Sequence, residues 1–540
     1  MYNRQDDGSC SGPEAESNSD IEPNTTGGNV SKQLVLPPGC KDQPAKGHLI
    51  FDASFESGNL GRVDCVSDCE YDLFIRSDTN SPRHRVWFYF SVENVRAEQK
   101  VVFNVVNFSK TRCLFRDGMA PVVKSTSRPR WQRIPSRHAH FDKSAVHNDQ
   151  YVMSFAFAFD REDDAYYFAY CFPYTYTQLQ RHLSSLEDRQ MPYFKRELLA
   201  SSEQGRRLDL ITITDQMNLV SNKIQRVIFI ASRVHSGESP ASFVCQGLID
   251  FLVSHNSVAI GLRQSFVFKI IPMLNPDGVY VGNGRCSSLG SDLNRSWDQP
   301  CKETQPTIYA AKKLLQEYRQ SQRVRLDFFL DLHSHSQQLN SFLYGNIFCN
   351  DPIRSERQAL LPTLLSEIAV DYSLDHTQFN KDPAKAGTAR RVVATIFNGQ
   401  PMCYTLEVSV FGYVRKEESS EIVAYNEESY KKLGEDLAYA FHQFLDVERE
   451  VRTVQMRPLH LFLGRPTSTM SSPPAIPKQI LPSVPAKPSM KGLECKRSPW
   501  ANPRKTSNPV ETGKWDKHGL YGRNEYDILQ ERSDMTIEET

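Results

Sequence analysis

An α/β domain with a mixed sheet, preceded by a small antiparallel β-sandwich and flanked by two tails without regular structure, is the architecture this chain predicts. Three observations carry it. Between about residues 171 and 448, apolar β-branched runs alternate with stretches of helical period. Between 47 and 170, short strand-like runs follow one another with no helical pattern between them. Outside these limits no apolar period survives.

Residues 1–46 are rich in Asp, Glu, Ser, Asn, Gly and Pro, and cannot bury enough apolar area to offset their ordering entropy. From Gly47 the runs H-L-I-F-D-A-S-F, Y-D-L-F-I-R, V-W-F-Y-F-S-V, K-V-V-F-N-V-V-N-F and V-M-S-F-A-F-A-F read as strands, with period-two alternation in Arg85 to Val92 and Val152 to Phe159. His138, His140 and His147 lie there in a polar, Arg-rich stretch and read as solvated.

Beyond Phe172 the pairs are Val227 to Ile230 with Phe243 to Val253, Phe266 to Ile271 with Ile308 to Tyr318, Phe342 to Phe348 with Gln358 to Tyr372, and Tyr404 to Val410 with Tyr430 to Leu445. Leu326 to Leu332 is a further strand, and Leu179 to Leu186 a leading helix. Ligand sites in such sheets gather at the carboxyl ends of strands. The last stretch, 449–540, is Pro-, Ser- and Lys-rich, with polyproline character.

With 64 basic and 64 acidic residues, the overall charge gives no sign of a nucleic-acid or membrane partner. The start, M-Y-N-R-Q-D-D, has no apolar leader region, no stretch reaches the ~18 apolar residues of a membrane helix, and a cytosolic protein is expected. The 12 cysteines have no C-x-x-C spacing, and Cys171, Cys245 and Cys403 sit in apolar segments, so they read as reduced core residues.

Chemistry-bearing side chains stand just past the apolar strands. Val227 to Ile230 leads into His235 and Glu238, three residues apart, with Ser239 and Pro240 opening a helix at its cap and first turn. An imidazole and a carboxylate so spaced can reach one metal ion. Leu326 to Leu332 leads into His333 and His335, which strand alternation puts on one side, so that the sequence alone does not choose between them; His333, the first after the apolar run, is taken as the third ligand. Such a set leaves the fourth position open, as in a catalytic zinc site.

The run from Phe266 to Leu274 leads into N-P-D-G-V-Y, then G-N-G-R with Arg285, then D-L-N-R with Asn294 and Arg295. Arginine suits two-point capture of a carboxylate, and Asn adds a donor. Glu407, in Y-T-L-E-V-S-V, is a lone acid amid apolar neighbours, costly to bury unless it is paired, metal-bound or catalytic; it is the candidate general base.

These motifs in this order resemble the M14 zinc carboxypeptidases. The F-P-Y-T-Y-T entry at Phe172, the preceding β domain and the G-N-x-R-C spacing resemble the cytosolic branch of that family, and the likeness spans roughly Gly27 to Leu445. The resemblance implies one zinc on His235, Glu238 and His333, with Glu407 as general acid/base and Arg285 as the oxyanion-stabilising arginine. It implies that Asn294 and Arg295 clamp the substrate's C-terminal carboxylate. The implied activity is removal of glutamates from polyglutamate side chains or acidic C-termini of proteins such as tubulin. Microtubules and other proteins with acidic C-termini would be partners, at cytoplasm, centriole or ciliary basal body, with a monomer as the expected state. Ser236 departs from the branch, which usually has Pro there, and no G-x-x-x-x-G-K-[ST] loop for nucleotide is present.

Ahead of the Glu407 strand, K-D-P-A-K-A-G-T-A-R-R lies where the family's pocket floor is expected. Arg390, after a small-residue turn, is read as the partner of a substrate side-chain carboxylate, with Lys385 as a weaker aid and Lys381 and Arg391 as solvated. Two rivals share these residues: a small-molecule zinc acylase or amidohydrolase, which would not need the β domain, and a non-catalytic microtubule-binding module.

Overall fold

The computed structural model describes residues 28–455, apart from 41, 42, 44, 221, 349, 350 and 416–420. The N-terminal part is a sandwich. Its six-stranded sheet runs in the order Gln33–Leu34, Ile50–Asp52, Tyr89–Glu93, Tyr166–Ala169, Val122–Ser125, Gln132–Arg133, antiparallel throughout. The facing five-stranded sheet runs Arg62–Ser67, Glu70–Phe74, Lys100–Val105, Gln150–Ala158, Ala139–Ser144, with one parallel pair, Glu70–Phe74 with Lys100–Val105. Phe51, Phe90, Phe103 and Phe168 fill the space between the sheets, neighbouring ring centroids standing 5.4–6.2 Å apart.

One expectation needs correction here. The folded part begins before residue 47: Gln33–Leu34 pairs with Ile50–Asp52, and Val30 and Val35 are buried against the sandwich. A short Val-x-x-x-x-Val pattern is too brief to stand out in a polar stretch. The alternation in Arg85 to Val92 divides two faces that are both buried. Phe88, Phe90 and Val92 face the sandwich core, but Trp87, Tyr89 and Ser91 are buried as well. Trp87 Nε1 donates to Ser57 O, and Ser57 bonds the backbone of Val279 and Tyr280 in the second domain, so neighbouring structure covers the outer face. His147 is likewise tied down, its Nε2 lying 2.8 Å from Asp72.

The second domain carries an eight-stranded mixed sheet in the order Phe194–Ser201, Arg207–Ile213, Val267–Ile271, Gln225–Ser232, Val324–His335, Met402–Ser409, Ser341–Asn346, Gln378–Asn380. The four central strands are parallel, and the Arg207–Ile213 and Ser341–Asn346 strands flank them antiparallel. Both faces are covered. Ile228 and Ile230 join the core beneath the Ser239–Leu252 and Glu427–Gln455 helices, and Val227, Phe229 and Ala231 join that beneath the Pro306–Gln320 and Ala389–Ile396 helices. Double burial is why these strands read as continuous apolar runs. The Ser239–Leu252 and Glu427–Gln455 helices meet backbone to backbone: a Cβ on Gly247 or Gly434 would fall 2.1 Å from the carbonyl of Lys431 or Val244.

Helix bounds shift modestly. The helix expected over 358–372 is Pro352–Ile368, and the last helix continues to Gln455, past the expected boundary at 448. The remainder of the expected Pro-rich tail, 456–540, lies outside the described residues, as do residues 1–27 of the expected first tail. The edge hairpin of Phe194–Ser201 and Arg207–Ile213 was not foreseen, because its outer strand is half-exposed and carries no apolar run.

Candidate active site

The parallel strands end along one edge of the sheet, and their loops meet there around a cavity of about 490 Å³. The Gln225–Ser232 strand passes into a tight loop in which Arg233 takes a left-handed φ of 57°. Its buried guanidinium donates twice to Ser236 O, and also to Tyr174 O and Ser242 Oγ, bracing the loop from within. Glu238, and not Ser239, stands at the cap of the following helix, yet makes no cap bond because its carboxylate is committed elsewhere.

That commitment defines the centre. Glu238 Oε1 lies 2.7 Å from His235 Nδ1, and Oε2 lies 2.9 Å from His333 Nδ1 while accepting from Ser334 N at 3.0 Å. One ligating atom from each of these three residues lies within 4.8 Å of the other two. The opposite ring nitrogens are gripped by acids: His235 Nε2 by Asp292 at 3.1 Å, and His333 Nε2 by Asp331 at 2.8 Å. Carboxylates behind the imidazoles, with the free nitrogens converging on a third acid, are the outer support that a metal-ligating histidine pair requires, so the donor set fits zinc. Burial alone would raise Glu238, but the two imidazoles hold it well below the usual carboxylate range.

The choice between the two histidines is visible in the geometry. His335 turns away, its Nε2 3.3 Å from Asn340 O and its ring packed on Phe342, and burial pushes its pKa down to about 4.

Glu407 stands beside His333 in the register of the two parallel strands and lines the cavity. Its carboxylate has no hydrogen-bond partner among the described residues, and burial, opposed by His333, pushes it up to about 7. Arg285 donates to Asp292 Oδ2 through Nε and Nη2 at 2.9 and 2.6 Å. Asp292 thus joins the arginine to His235, and its side chain also caps Asn294 N.

Asn294 lines the cavity and is held from within. Its Oδ1 accepts from Ala389 N at 3.0 Å, and its Nδ2 donates to Asp331 and lies 3.0 Å from His333 Nε2. With both ends of the amide so engaged, Asn294 braces His333 and the Arg390 helix. Arg295 is exposed at the cavity, and among the described residues its side chain donates only to Asn294 O.

Arg390 follows the turn at 386–387 and lies in the first turn of the Ala389–Ile396 helix, 3% exposed. It donates to Gly345 O, Asn346 Oδ1 and Asn380 Oδ1, all neutral, and no carboxylate pairs with it among the described residues. Burial, with Arg391 adding, pushes its pKa down to about 10, so it stays charged at neutral pH. Lys385 lines the same wall, and exposed Lys381 does not.

Asp292, Asp331, Arg233 and Asp78 were not singled out from sequence. D-L-N-R and the D-L-H run contain the two acids that grip the imidazoles, a signal legible once the histidines are taken as ligands. Asp78 comes from the β-sandwich, and nothing local marks it. Its carboxylate accepts from the backbone N–H of Gly284, Arg285 and Cys286 at 2.6–2.8 Å, fixing the arginine loop. His84 and Cys286 lie within ligating distance of it, but the three N–H donors already occupy the acid. Asp78→Ala should leave those donors unmet and lower kcat/KM about 10²-fold, as a misplacement of about 1 Å can, with metal content unchanged. Steady-state kinetics beside metal analysis check this, and a variant within threefold of wild type would mean the loop holds itself.

Comparison with known proteins agrees with this geometry. A zinc carboxypeptidase family model matches residues 180–432, and a cytosolic carboxypeptidase N-terminal domain model matches residues 51–171. Human cytosolic carboxypeptidase 6 is 54% identical over 448 residues, 83% of this chain and 88% of that protein. The Caenorhabditis elegans protein of the same name is 47% identical, over 78% and 92% of the two chains. Among solved structures, a metallo-carboxypeptidase from Burkholderia cenocepacia superposes with a TM-score of 0.63 at 22% identity, covering 74% of this chain and 99% of that one, a likeness of fold. With identity at this level over nearly the whole of its relatives, the chain belongs to the cytosolic carboxypeptidases, a branch of the M14 zinc carboxypeptidase family.

Proposed function

We propose that this carboxypeptidase binds one zinc through His235, Glu238 and His333 and removes glutamate from polyglutamate side chains and acidic C-termini, with glutamylated tubulin as a principal substrate. The observation that carries the acidic preference is Arg390: a buried guanidinium facing the cavity, with only neutral acceptors. Burying a charge without a counter-charge is costly, and an arriving carboxylate relieves that cost.

In this reading Arg295 takes the substrate's terminal carboxylate, Arg390 its side-chain carboxylate, and Arg285 faces the scissile carbonyl, where it steadies negative charge as the oxygen gains it. Zinc, when bound, supplies Lewis-acid polarisation and a more acidic water. Glu407 takes a proton from the attacking water and delivers it to the departing amine, so that water is added across the amide and the base is regenerated. The sandwich side chains Trp87, Lys110 and Tyr170 also wall the cavity, which suits a protein end better than an N-acyl amino acid. A cytosolic setting accords with the names of its relatives, and action at centrioles or cilium basal bodies is the finer expectation.

Arg390→Ala should lower kcat/KM for a peptide ending in Glu about 10²-fold or more relative to one ending in an apolar residue, and Lys385→Ala should do so less. Equal losses on both ends would place the acidic preference elsewhere. Mass spectrometry of glutamylated tubulin before and after incubation, with Glu407→Gln as control, tests the substrate: unchanged glutamate chains with active enzyme would exclude it.

A further inference from the structure

Lys110 projects into the same cavity, from the β-sandwich. The segment carrying it is pinned at both ends. Ser109 N and Oγ donate to Arg85 O, and Leu114 N donates to Ser336 O, just beyond the histidine strand. Phe108, Cys113 and Leu114 are buried around it. The ammonium itself donates to Ser336 Oγ at 2.5 Å and forms no ion pair among the described residues. Burial lowers its pKa, and among the charges acting on it are Glu238, already occupied by the two imidazoles, and Arg285. A strut joining the domains has no need of a half-buried cation, since the Leu114–Ser336 backbone bond makes that join and an uncharged side chain would pack there at less cost.

We infer that Lys110 binds the side-chain carboxylate of the residue on the amino side of the scissile bond, so that the enzyme reads two successive acidic residues. The inference rests on the proposed glutamate removal and extends it. Arg390 is held by the Ser341–Asn346 and Gln378–Asn380 strands, whereas Lys110 is fixed just past the end of the Val324–His335 strand, near enough to Arg285 and Glu238 to feel their charges. A substrate whose last side chain meets Arg390 and whose scissile carbonyl faces Arg285 places its preceding residue toward Lys110. The two domains then divide recognition: the catalytic domain takes the residue to be released, and the sandwich takes the one that stays.

The test compares kcat/KM of the full-length protein on paired peptides ending Glu-Glu and Ala-Glu. Lys110→Met should cut the wild-type ratio about tenfold or more, leaving Ala-Glu cleavage within a few-fold. Lys110→Arg should keep most of the ratio, and Lys110→Glu should invert it, favouring Lys-Glu. Each ratio comes from one preparation, so a smaller folded fraction cancels. Equal losses on both peptides, or no loss on either, would overturn the assignment. The preference at the last position, Ala-Glu against Ala-Leu, is read separately; if it is absent, the glutamate reading fails, and the penultimate ratio is then measured on whichever last residue is cleaved best.

Discussion

Glu407→Gln is expected to keep the fold and the metal and to lose at least about 10²–10⁴-fold in kcat, the usual cost of removing a general base. The amide has nearly the shape of the carboxyl and enters a site where that carboxyl makes no hydrogen bond among the described residues, so packing and neighbouring bonds are undisturbed. What is lost is a group that can accept a proton from water. The pH profile gives a second readout. The acid must be ionised to act, so kcat/KM rises with pH through its pKa, which burial pushes up to about 7 and the charge of a bound metal draws back toward the ordinary glutamate value of about 4.3. That acid limb should vanish from the residual activity of the variant. A Glu407→Gln enzyme within tenfold of wild type would remove Glu407 from the mechanism.

The second large effect is on the metal. Elemental analysis should find one zinc per wild-type chain, and His235→Ala should abolish stoichiometric zinc together with activity. Loss of an outer carboxylate behind a metal-bound imidazole typically costs 10–100-fold in affinity, and loss of a ligand costs more. Asp331→Asn should therefore fall between wild type and His235→Ala. His335→Ala should retain most of the zinc, because that imidazole contacts Asn340 and Phe342 and stands apart from the triad. Zinc lost from His335→Ala but retained in His333→Ala would exchange the two roles.

What could be read in advance divides by the range of the forces involved. The central strands were legible because both of their faces are buried, which writes an unbroken apolar run such as Val227 to Ile230 into the chain. His235, Glu238 and Glu407 were legible because a polar group just past, or inside, such a run has few structural uses. Asp78 was not, since its partners lie more than two hundred residues away and only the docking of one domain on the other reveals them. The bonds of Asn294 to Asp331 and Ala389 are not legible either, since residue type does not say which way an amide points. The alternation in Arg85 to Val92 marks a strand of the sandwich, and period two shows its two faces without showing that both are covered.

The grip of Asp78 on residues 284–286 also bears on how the protein is made. The sandwich leaves the ribosome before the carboxypeptidase domain, and domains fold largely as units, the N-terminal one first during synthesis. Its Asp78 carboxylate, with Thr79 accompanying it in a bond to Asn283, can thus be in place when the arginine loop emerges. The first domain would then serve the second as a template, setting the backbone of a catalytic loop that has neither a helix nor a strand of its own to hold it.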